Sequence, residues 1–415
     1  MKSSKSFRLH IGLFGRRNVG KSSLLNVLTG QEVSIVSDVA GTTTDPVEKP
    51  MELLPFGPVL FIDTAGIDDS GALGQQRIGR TLVVIDRTDL AVLVSTAADW
   101  GPFEESLLQK LQKQEIPVIV VLNKSDLFPA SGKLPGVLAG RKVPVVTSSA
   151  IRPGGTDSLR EMILRQAPDS FINRPAILSD LVGPEELAVL VVPIDKEAPK
   201  GRLILPQVQS IRDLLDGNAC CLVVRDNQLK KALNRLKSPP RLVVTDSQAF
   251  ARVAECTPEN IPLTGFSILM ARYQGDLTEM VRGALCIDRL RAGDRVLIAE
   301  ACTHHPIEDD IGTVKIPRWL NRYAGGVLQY THMRGHDFPS DLRTYRLIIH
   351  CGACMWNRRE MLSRILKARQ AGVPLTNYGL SIAYSLGIFE RALSPFPEVM
   401  QVFRGKNRHQ SRGME

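Results

Sequence analysis

The segment Gly15-Arg16-Arg17-Asn18-Val19-Gly20-Lys21-Ser22 has the spacing G-x-x-x-x-G-K-[ST], a pattern suited to wrapping a polyphosphate. Glycines let the backbone fold round the phosphates so that amide N–H groups point inward at the positive end of a helix. Lys21 would reach the β- and γ-phosphates and Ser22 would ligate Mg²⁺. Gly15, Asn18, Gly20, Lys21, Ser22 and Ser23 are the nucleotide-binding residues expected of this loop.

Three further motifs follow in order. Asp63-Thr64-Ala65-Gly66 puts a carboxylate near the metal and the Gly66 amide near the γ-phosphate. In Asn123-Lys124-Ser125-Asp126 the Asp126 carboxylate can accept from both N1–H and the 2-amino group of guanine. Adenine lacks that pair of donors, so the motif selects GTP over ATP. Ser148-Ser149-Ala150 can offer a backbone donor to the guanine carbonyl. The stretch Ala40-Gly41-Thr42-Thr43-Thr44-Asp45 supplies a switch threonine. Thr43 is the preferred Mg²⁺ ligand, with Thr42 and Thr44 as alternatives. Ile67 stands where many GTPases carry a water-orienting glutamine.

A second constellation lies far along the chain. Glu300-Ala301-Cys302-Thr303-His304-His305 is followed, some 45 residues on, by His350-Cys351-Gly352-Ala353-Cys354. Two thiols at C-x-x-C spacing can close on one ion or cluster, and Cys302 adds a third. On the residues alone four readings stand: tetrahedral zinc, a 4Fe–4S cluster on three thiolates, a redox dithiol at Cys351/Cys354, or an accident of composition. If three thiolates hold a cluster, the open iron is within reach of His304, His350 or Glu300, although Glu300 also reads as an exposed acid at a strand end. Cys220, Cys221, Cys256 and Cys286 lie in apolar surroundings and are expected in the core. His332 and His336 are given no role.

These residues need elements to hold them. From Phe7 to about Gln166, apolar strands (9–14, 59–63, 90–95, 118–123, 143–147) alternate with helical stretches. That alternation predicts a doubly wound parallel sheet with every nucleotide motif at a strand end. Residues 168–182, with Pro168, Pro175 and Gly183-Pro184, read as a linker. A second α/β unit follows, with strands at 188–194, 219–224 and 242–245 and helices near 208–215, 228–236 and 247–256. It carries no catalytic motif and suits a dimerisation module. A third α/β segment has strands at 295–299 and 347–349 and helices near 277–291, 358–370 and 379–387. Both cysteine clusters then fall at the carboxyl ends of parallel strands, where α/β sheets collect ligands. The expected divisions are residues 1–168, 175–262 and 263–400, with 401–415 a basic disordered tail.

Composition is permissive. Apolar and charged fractions of 43% and 23% are ordinary for a globular chain, and the net charge of +9 is mild for 415 residues. No apolar run reaches the roughly 20 residues of a membrane helix, and MKSSKSFRLH is no secretory signal. A cytoplasmic protein without a disulfide framework is expected, and no nucleic-acid or membrane partner.

The phosphate-loop motifs resemble the TrmE/Era/EngA branch of GTPases. Asn18 matches the position that helps ligate K⁺ in the potassium-dependent members, where K⁺ supplies the charge an arginine finger supplies elsewhere. Joined to Cys302, His304, His350, Cys351 and Cys354, the whole chain resembles the FeFe-hydrogenase maturation GTPases, the HydF family. The resemblance implies a 4Fe–4S cluster on Cys302, Cys351 and Cys354, with His304, His350 or Glu300 near the open iron, and a homodimer through the middle segment. It further implies a scaffold or carrier that receives a two-iron precursor with the help of radical-SAM maturases and passes it to apo-FeFe-hydrogenase. GTP hydrolysis would gate partner exchange. The alternative is an Era-like GTPase acting on RNA or the ribosome, with zinc stapling the C-terminal segment.

Overall fold

The computed structural model describes residues 5–29, 46–53, 57–64, 80–129, 134–152, 155–172, 174–194, 201, 203–301 and 310–411. Thr42, Thr43, Thr44, Gly66, Ile67, Cys302, His304 and His305 lie outside them. The chain divides into two compact units, Met1–Arg174 and Pro175–Glu415.

The first unit is one six-stranded sheet in the order β2-β3-β1-β4-β5-β6. The strands are β1 Leu9–Phe14, β2 Val47–Leu53, β3 Gly57–Asp63, β4 Leu90–Ser95, β5 Val118–Leu122 and β6 Val145–Thr147. All pairings are parallel except β2 with β3, which run antiparallel. Strands β1, β4 and β5 are buried along their whole length and are apolar except for His10 in β1 and Ser95 at the end of β4, as expected of parallel strands covered on both faces. β2 was not expected. Its sequence VEKPMEL carries charges and Pro50, which only an edge position tolerates. The expected linker is partly ordered, with short helices at Asp169–Ile172 and Ser179–Val182.

The second unit holds two four-stranded sheets, every pairing in them parallel. The first has order β10-β9-β7-β8, from β7 Leu187–Val191, β8 Cys220–Val224, β9 Leu242–Thr245 and β10 Leu263–Gly265. This sheet therefore runs past residue 262, because β10 pairs with β9. β8 is an edge strand. Cys220 on it is exposed, and Cys221, Cys256 and Cys286 are only half-buried, so the expectation that these four are core residues does not hold.

The second sheet has order β12-β11-β13-β14, from β11 Arg295–Glu300, β12 Gln329–Arg334, β13 Leu347–His350 and β14 Leu375–Asn377. β11 and β13 occupy the centre, and Ala299 lies beside His350. In place of a disordered tail, a helix spans Pro397–Ser411. Its first turns are anchored, with Val399 and Met400 buried and Phe403 edge-on against Phe389.

Candidate functional site

The nucleotide motifs gather at the carboxyl edge of the six-stranded sheet. β1 passes through the glycine loop into the helix Lys21–Thr29. Two glycines are required here. Gly15 has φ 146°, and a Cβ would come within 2.1 Å of the Val94 carbonyl oxygen; Gly20 has φ 88°, and a Cβ would meet the Asn123 side-chain amide at 2.4 Å. Asn18 sits between them in the left-handed region at φ 57°, which asparagine tolerates better than most residues.

Lys21 is buried, and its ammonium donates to the carbonyls of Gly15 at 2.9 Å and Arg16 at 2.7 Å. The Arg16 side chain is forked onto Glu104, with Nε to Oε1 at 2.8 Å and Nη2 to Oε2 at 3.0 Å. Glu104 is fully buried and caps the helix Pro102–Lys113 through the Gly101 N–H. The loop is thus braced from the helix that follows β4.

Ser22 Oγ donates to Asp63 Oδ2 at 2.7 Å, which brings the two expected Mg²⁺ ligands together. Asp63 Oδ1 is buried without a hydrogen-bond partner among the described residues. Burial raises the Asp63 pKa, opposed by the Ser22 hydrogen bond and the charges of Lys21 and Lys49. A hard oxygen pair with one unsatisfied carboxylate oxygen fits the donor set Mg²⁺ requires.

The base-reading motifs meet in the same way. Asn123 Nδ2 donates to the Val19 carbonyl at 2.9 Å, tying β5 to the phosphate loop. Lys124 takes a left-handed φ of 54°. Ser149 Oγ donates to Asp126 Oδ1 at 2.6 Å, and this bond is the first cause of the lowered Asp126 pKa. Ser125 N donates to Ser148 O at 3.0 Å, and Ser148 Oγ donates to Gly155 O at 2.8 Å. The Asn123–Asp126 and Ser148–Ala150 segments therefore present one surface.

The cysteine segment lies at the carboxyl edge of the β12-β11-β13-β14 sheet, and all four strands contribute to it. β11 ends in Glu300, β13 in His350 followed by Cys351, β12 in Arg334 followed by His336, and β14 runs into Tyr378. Ala353 has a left-handed φ of 50°, an unusual conformation for alanine that turns the chain between Cys351 and Cys354. Cys351 Sγ accepts the N–H of Ala301 at 3.1 Å, so the chain leaving β11 touches the thiol leaving β13. Among the described residues no three His, Cys, Asp or Glu side chains converge as a metal site. Cys302 and His304 lie outside those residues.

Glu300 is not an exposed acid. It is 5% exposed, its Oε1 accepts from the Tyr378 hydroxyl at 2.9 Å and its Oε2 from Arg334 Nε at 3.0 Å. Burial and the Glu300 charge push the Tyr378 hydroxyl pKa up, so it stays a donor. Gly312 is tight against both, since a Cβ there would lie 2.2 Å from the Tyr378 oxygen.

His350 is fully buried. Arginine can only donate, so the 3.1 Å contact from Arg364 Nη1 makes His350 Nε2 the acceptor. The proton then sits on Nδ1 and is donated to the Cys351 carbonyl at 2.9 Å. Burial, with the Arg364 charge second, pushes the His350 pKa down to about 3. In this arrangement neither ring nitrogen offers a lone pair to iron.

Trp356, Arg364 and His336 were not singled out from the sequence. Arg364 Nη2 donates to the carbonyls of Gly335 at 2.8 Å and Asp337 at 2.9 Å, and its guanidinium lies 4.2 Å from the Trp356 ring centre. His336 stacks on Trp356 and contacts Glu360 at 2.6 Å. A signal was present, because Glu360 and Arg364 interrupt the buried stripe of Met361, Ile365 and Ala368 on one helix.

Comparison with known families then decides the assignment. Residues 278–395 match the hydrogen maturase F tetramerization domain and residues 177–275 the hydrogen maturase F dimerization domain, together more than half of the chain. The chain belongs to the hydrogen maturase F family. Residues 10–124 match a 50S ribosome-binding GTPase model, which identifies the first unit as a P-loop GTPase domain. The tetramerization match shows that the family's self-association extends beyond the dimer expected from the sequence.

Curated relatives match over part of the chain. GTPase Der of Wolinella succinogenes is 37% identical over 40% of the chain and 39% of its own length. The tRNA modification GTPase MnmE of Chromobacterium violaceum is 38% identical over 38% of the chain and 34% of its own length. The chain thus spans well under half of these relatives. Among solved structures, Era in complex with MgGDPNP and a 16S ribosomal RNA fragment is 22% identical, covering 53% of this chain and 94% of that one, with a TM-score of 0.35. No helix among the described residues is long and apolar enough to cross a membrane.

Proposed function

We propose that this protein is a GTPase and iron–sulfur scaffold that carries the two-iron precursor of the FeFe-hydrogenase active site and delivers it to apo-hydrogenase. The observation that carries the reading is the 3.1 Å contact between Ala301 N–H and Cys351 Sγ at the carboxyl edge of two adjacent central strands. Cys302 is the next residue in the sequence, and this supports reading it as the third thiolate beside Cys351 and Cys354. An amide donating to sulfur also favours thiolate over thiol, the form that binds iron.

Cys302, Cys351 and Cys354 would hold a 4Fe–4S cluster, with His304 or Glu300 nearest its open iron. The cluster would supply an exchangeable iron site on which the precursor rests. Radical-SAM maturases would supply that precursor, and the carrier would act as a homodimer or a higher assembly in the cytoplasm.

In the GTPase domain, Lys21 and the loop amides hold the phosphates, Ser22, Asp63 and Thr43 hold Mg²⁺, and the Gly66 amide marks the γ-phosphate. Gly15, Gly20 and Ser23 complete the cradle, while Asn123, Lys124, Asp126, Ser148, Ser149 and Ala150 hold the guanine. Asn18 would ligate K⁺, which would stimulate hydrolysis by supplying the charge an arginine finger supplies in other GTPases. GTP binding orders the switch segments and hydrolysis releases them, which changes a partner-binding surface.

The test is transfer. Protein isolated from cells making the maturases is mixed with apo-hydrogenase, and hydrogen evolution is followed. The wild type activates and Cys302→Ala does not; activation that survives Cys302→Ala would remove the scaffold role.

A further inference from the structure

The histidine beside the cysteine pair and the arginine behind it form a buried unit with a definite protonation pattern. His350 spends both ring nitrogens internally, one on the Cys351 carbonyl and one on Arg364. Arg364 is itself 3% exposed. Its second terminal nitrogen grips the carbonyls of Gly335 and Asp337, which follow β12. Its flat face lies against Trp356 at 4.2 Å and Phe338 at 4.5 Å. Trp356 is two residues past Cys354 and meets the edge of the His350 ring at 5.2 Å between centres. One guanidinium therefore touches the residue before Cys351, the residue two after Cys354 and the loop after the neighbouring edge strand.

We propose that Arg364 and His350 are positioning residues for the Cys351–Cys354 loop. His350 serves as a neutral relay rather than an iron ligand, and Arg364 provides a fixed positive charge behind the thiolates. The charge follows from chemistry, since arginine stays protonated in any protein interior. The position follows from geometry. Guanidinium to imidazole to the Cys351 carbonyl is a chain of two hydrogen bonds whose direction cannot reverse, because arginine has no acceptor. A buried cation close to a cluster favours the state with one more electron, because its field is weakly screened there. Arg364 should thus raise the cluster's reduction potential.

This inference rests on the cluster reading proposed above, and the test separates the two. Full-length wild type, His350→Gln, Arg364→Met and Arg364→Lys are compared. On protein as purified, without reconstitution, hydrogen exchange is followed at the Cys351 and Trp356 amides, which donate to Ala299 and Ala353. Faster exchange in His350→Gln and Arg364→Met, with recovery in Arg364→Lys, is expected; unchanged exchange in both removes the positioning role.

The same proteins are then reconstituted anaerobically with iron and sulfide. The expected results are a cluster in His350→Gln with wild-type nitrogen hyperfine couplings and a more negative potential in Arg364→Met that returns toward wild type in Arg364→Lys. Loss of an imidazole nitrogen coupling in His350→Gln would make His350 a ligand and overturn the relay. An unshifted potential in Arg364→Met overturns the charge effect. A wild type that takes up no cluster refutes the cluster reading and the charge effect with it, and leaves the exchange result to decide the positioning.

Discussion

The hydroxyl of Ser22 donates to Asp63 Oδ2 at 2.7 Å, while Oδ1 of the same carboxylate is buried with no hydrogen-bond partner among the described residues. A buried, half-satisfied carboxylate is costly until a cation reaches it, so this pair links metal binding to stability. Because burial raises the Asp63 pKa, ionising it in the folded state is unfavourable. Its contribution to stability therefore falls as pH rises above the ordinary value of 3.8 and levels off above the folded value. Asp63→Asn keeps an acceptor for Ser22 and removes that cost. In EDTA at pH 7 the variant should unfold a few degrees higher than wild type, on the order of 2–4 °C per kcal/mol for a unit of this size. Mg²⁺ with GTP should stabilise only the wild type. A variant that unfolds lower than wild type in EDTA would contradict this.

Lys21 belongs to the unit Met1–Arg174 and the cysteine pair to the unit Pro175–Glu415, and the proposed role of Lys21 is to hold phosphate. Lys21→Ala should lower GTP turnover by roughly 100-fold or more, the scale seen when one preorganised donor is lost. Hydrogenase activation should fall with it, while the reduced cluster spectrum stays intact. A steady-state GTPase assay beside EPR of the same preparation checks both, and loss of the cluster in this variant would break the separation of the two sites.

Asp126 is held by the Ser149 hydroxyl, and the proposed role of its carboxylate is to accept from the guanine edge. Asp126→Asn replaces an acceptor with a donor and should weaken GTP binding by about 100-fold or more, with xanthosine triphosphate gaining in its place. Competition binding with both nucleotides reads this directly. Unchanged GTP affinity would remove Asp126 from base recognition.

Among the described residues, the sheet of the family's dimerization domain has one covered and one open edge. β10 is covered, since Thr264 donates to Ala392 in the helix Phe389–Leu393. At the other edge β8 exposes Cys220 and Val223, the latter 41% exposed. Open apolar edges pair with other strands, and a lysine there opposes pairing. Val223→Lys should shift the assembly toward smaller species in sedimentation velocity without changing GTP turnover. An unaltered size distribution would place the contact elsewhere.

The sequence was most legible where backbone and chemistry are set by the same few residues. The glycine loop, Asp63, Asn123–Asp126 and Ser148–Ala150 each sit at the end of an apolar run, and those runs are the strands β1, β3, β5 and β6. Strands with little apolar signal went unseen. β2 is charged and carries a proline, β12 reads Gln-Tyr-Thr-His-Met-Arg, and β14 has three residues. Only pairing in space makes them strands. The environment of the cysteines was illegible for a similar reason. Glu300 looked exposed at a strand end until Tyr378, 78 residues away, and Arg334 closed over it. His350 looked like a ligand until Arg364 claimed its second nitrogen.

Cys302, Cys351 and Cys354 are proposed to hold one cluster. The most direct measurement is anaerobic reconstitution with iron and sulfide, followed by iron analysis and EPR of the reduced protein beside Cys302→Ala. About four irons per chain and a cluster signal that collapses in the variant are expected for a 4Fe–4S site. Stoichiometric zinc with no cluster signal, or a signal untouched by Cys302→Ala, would contradict the account.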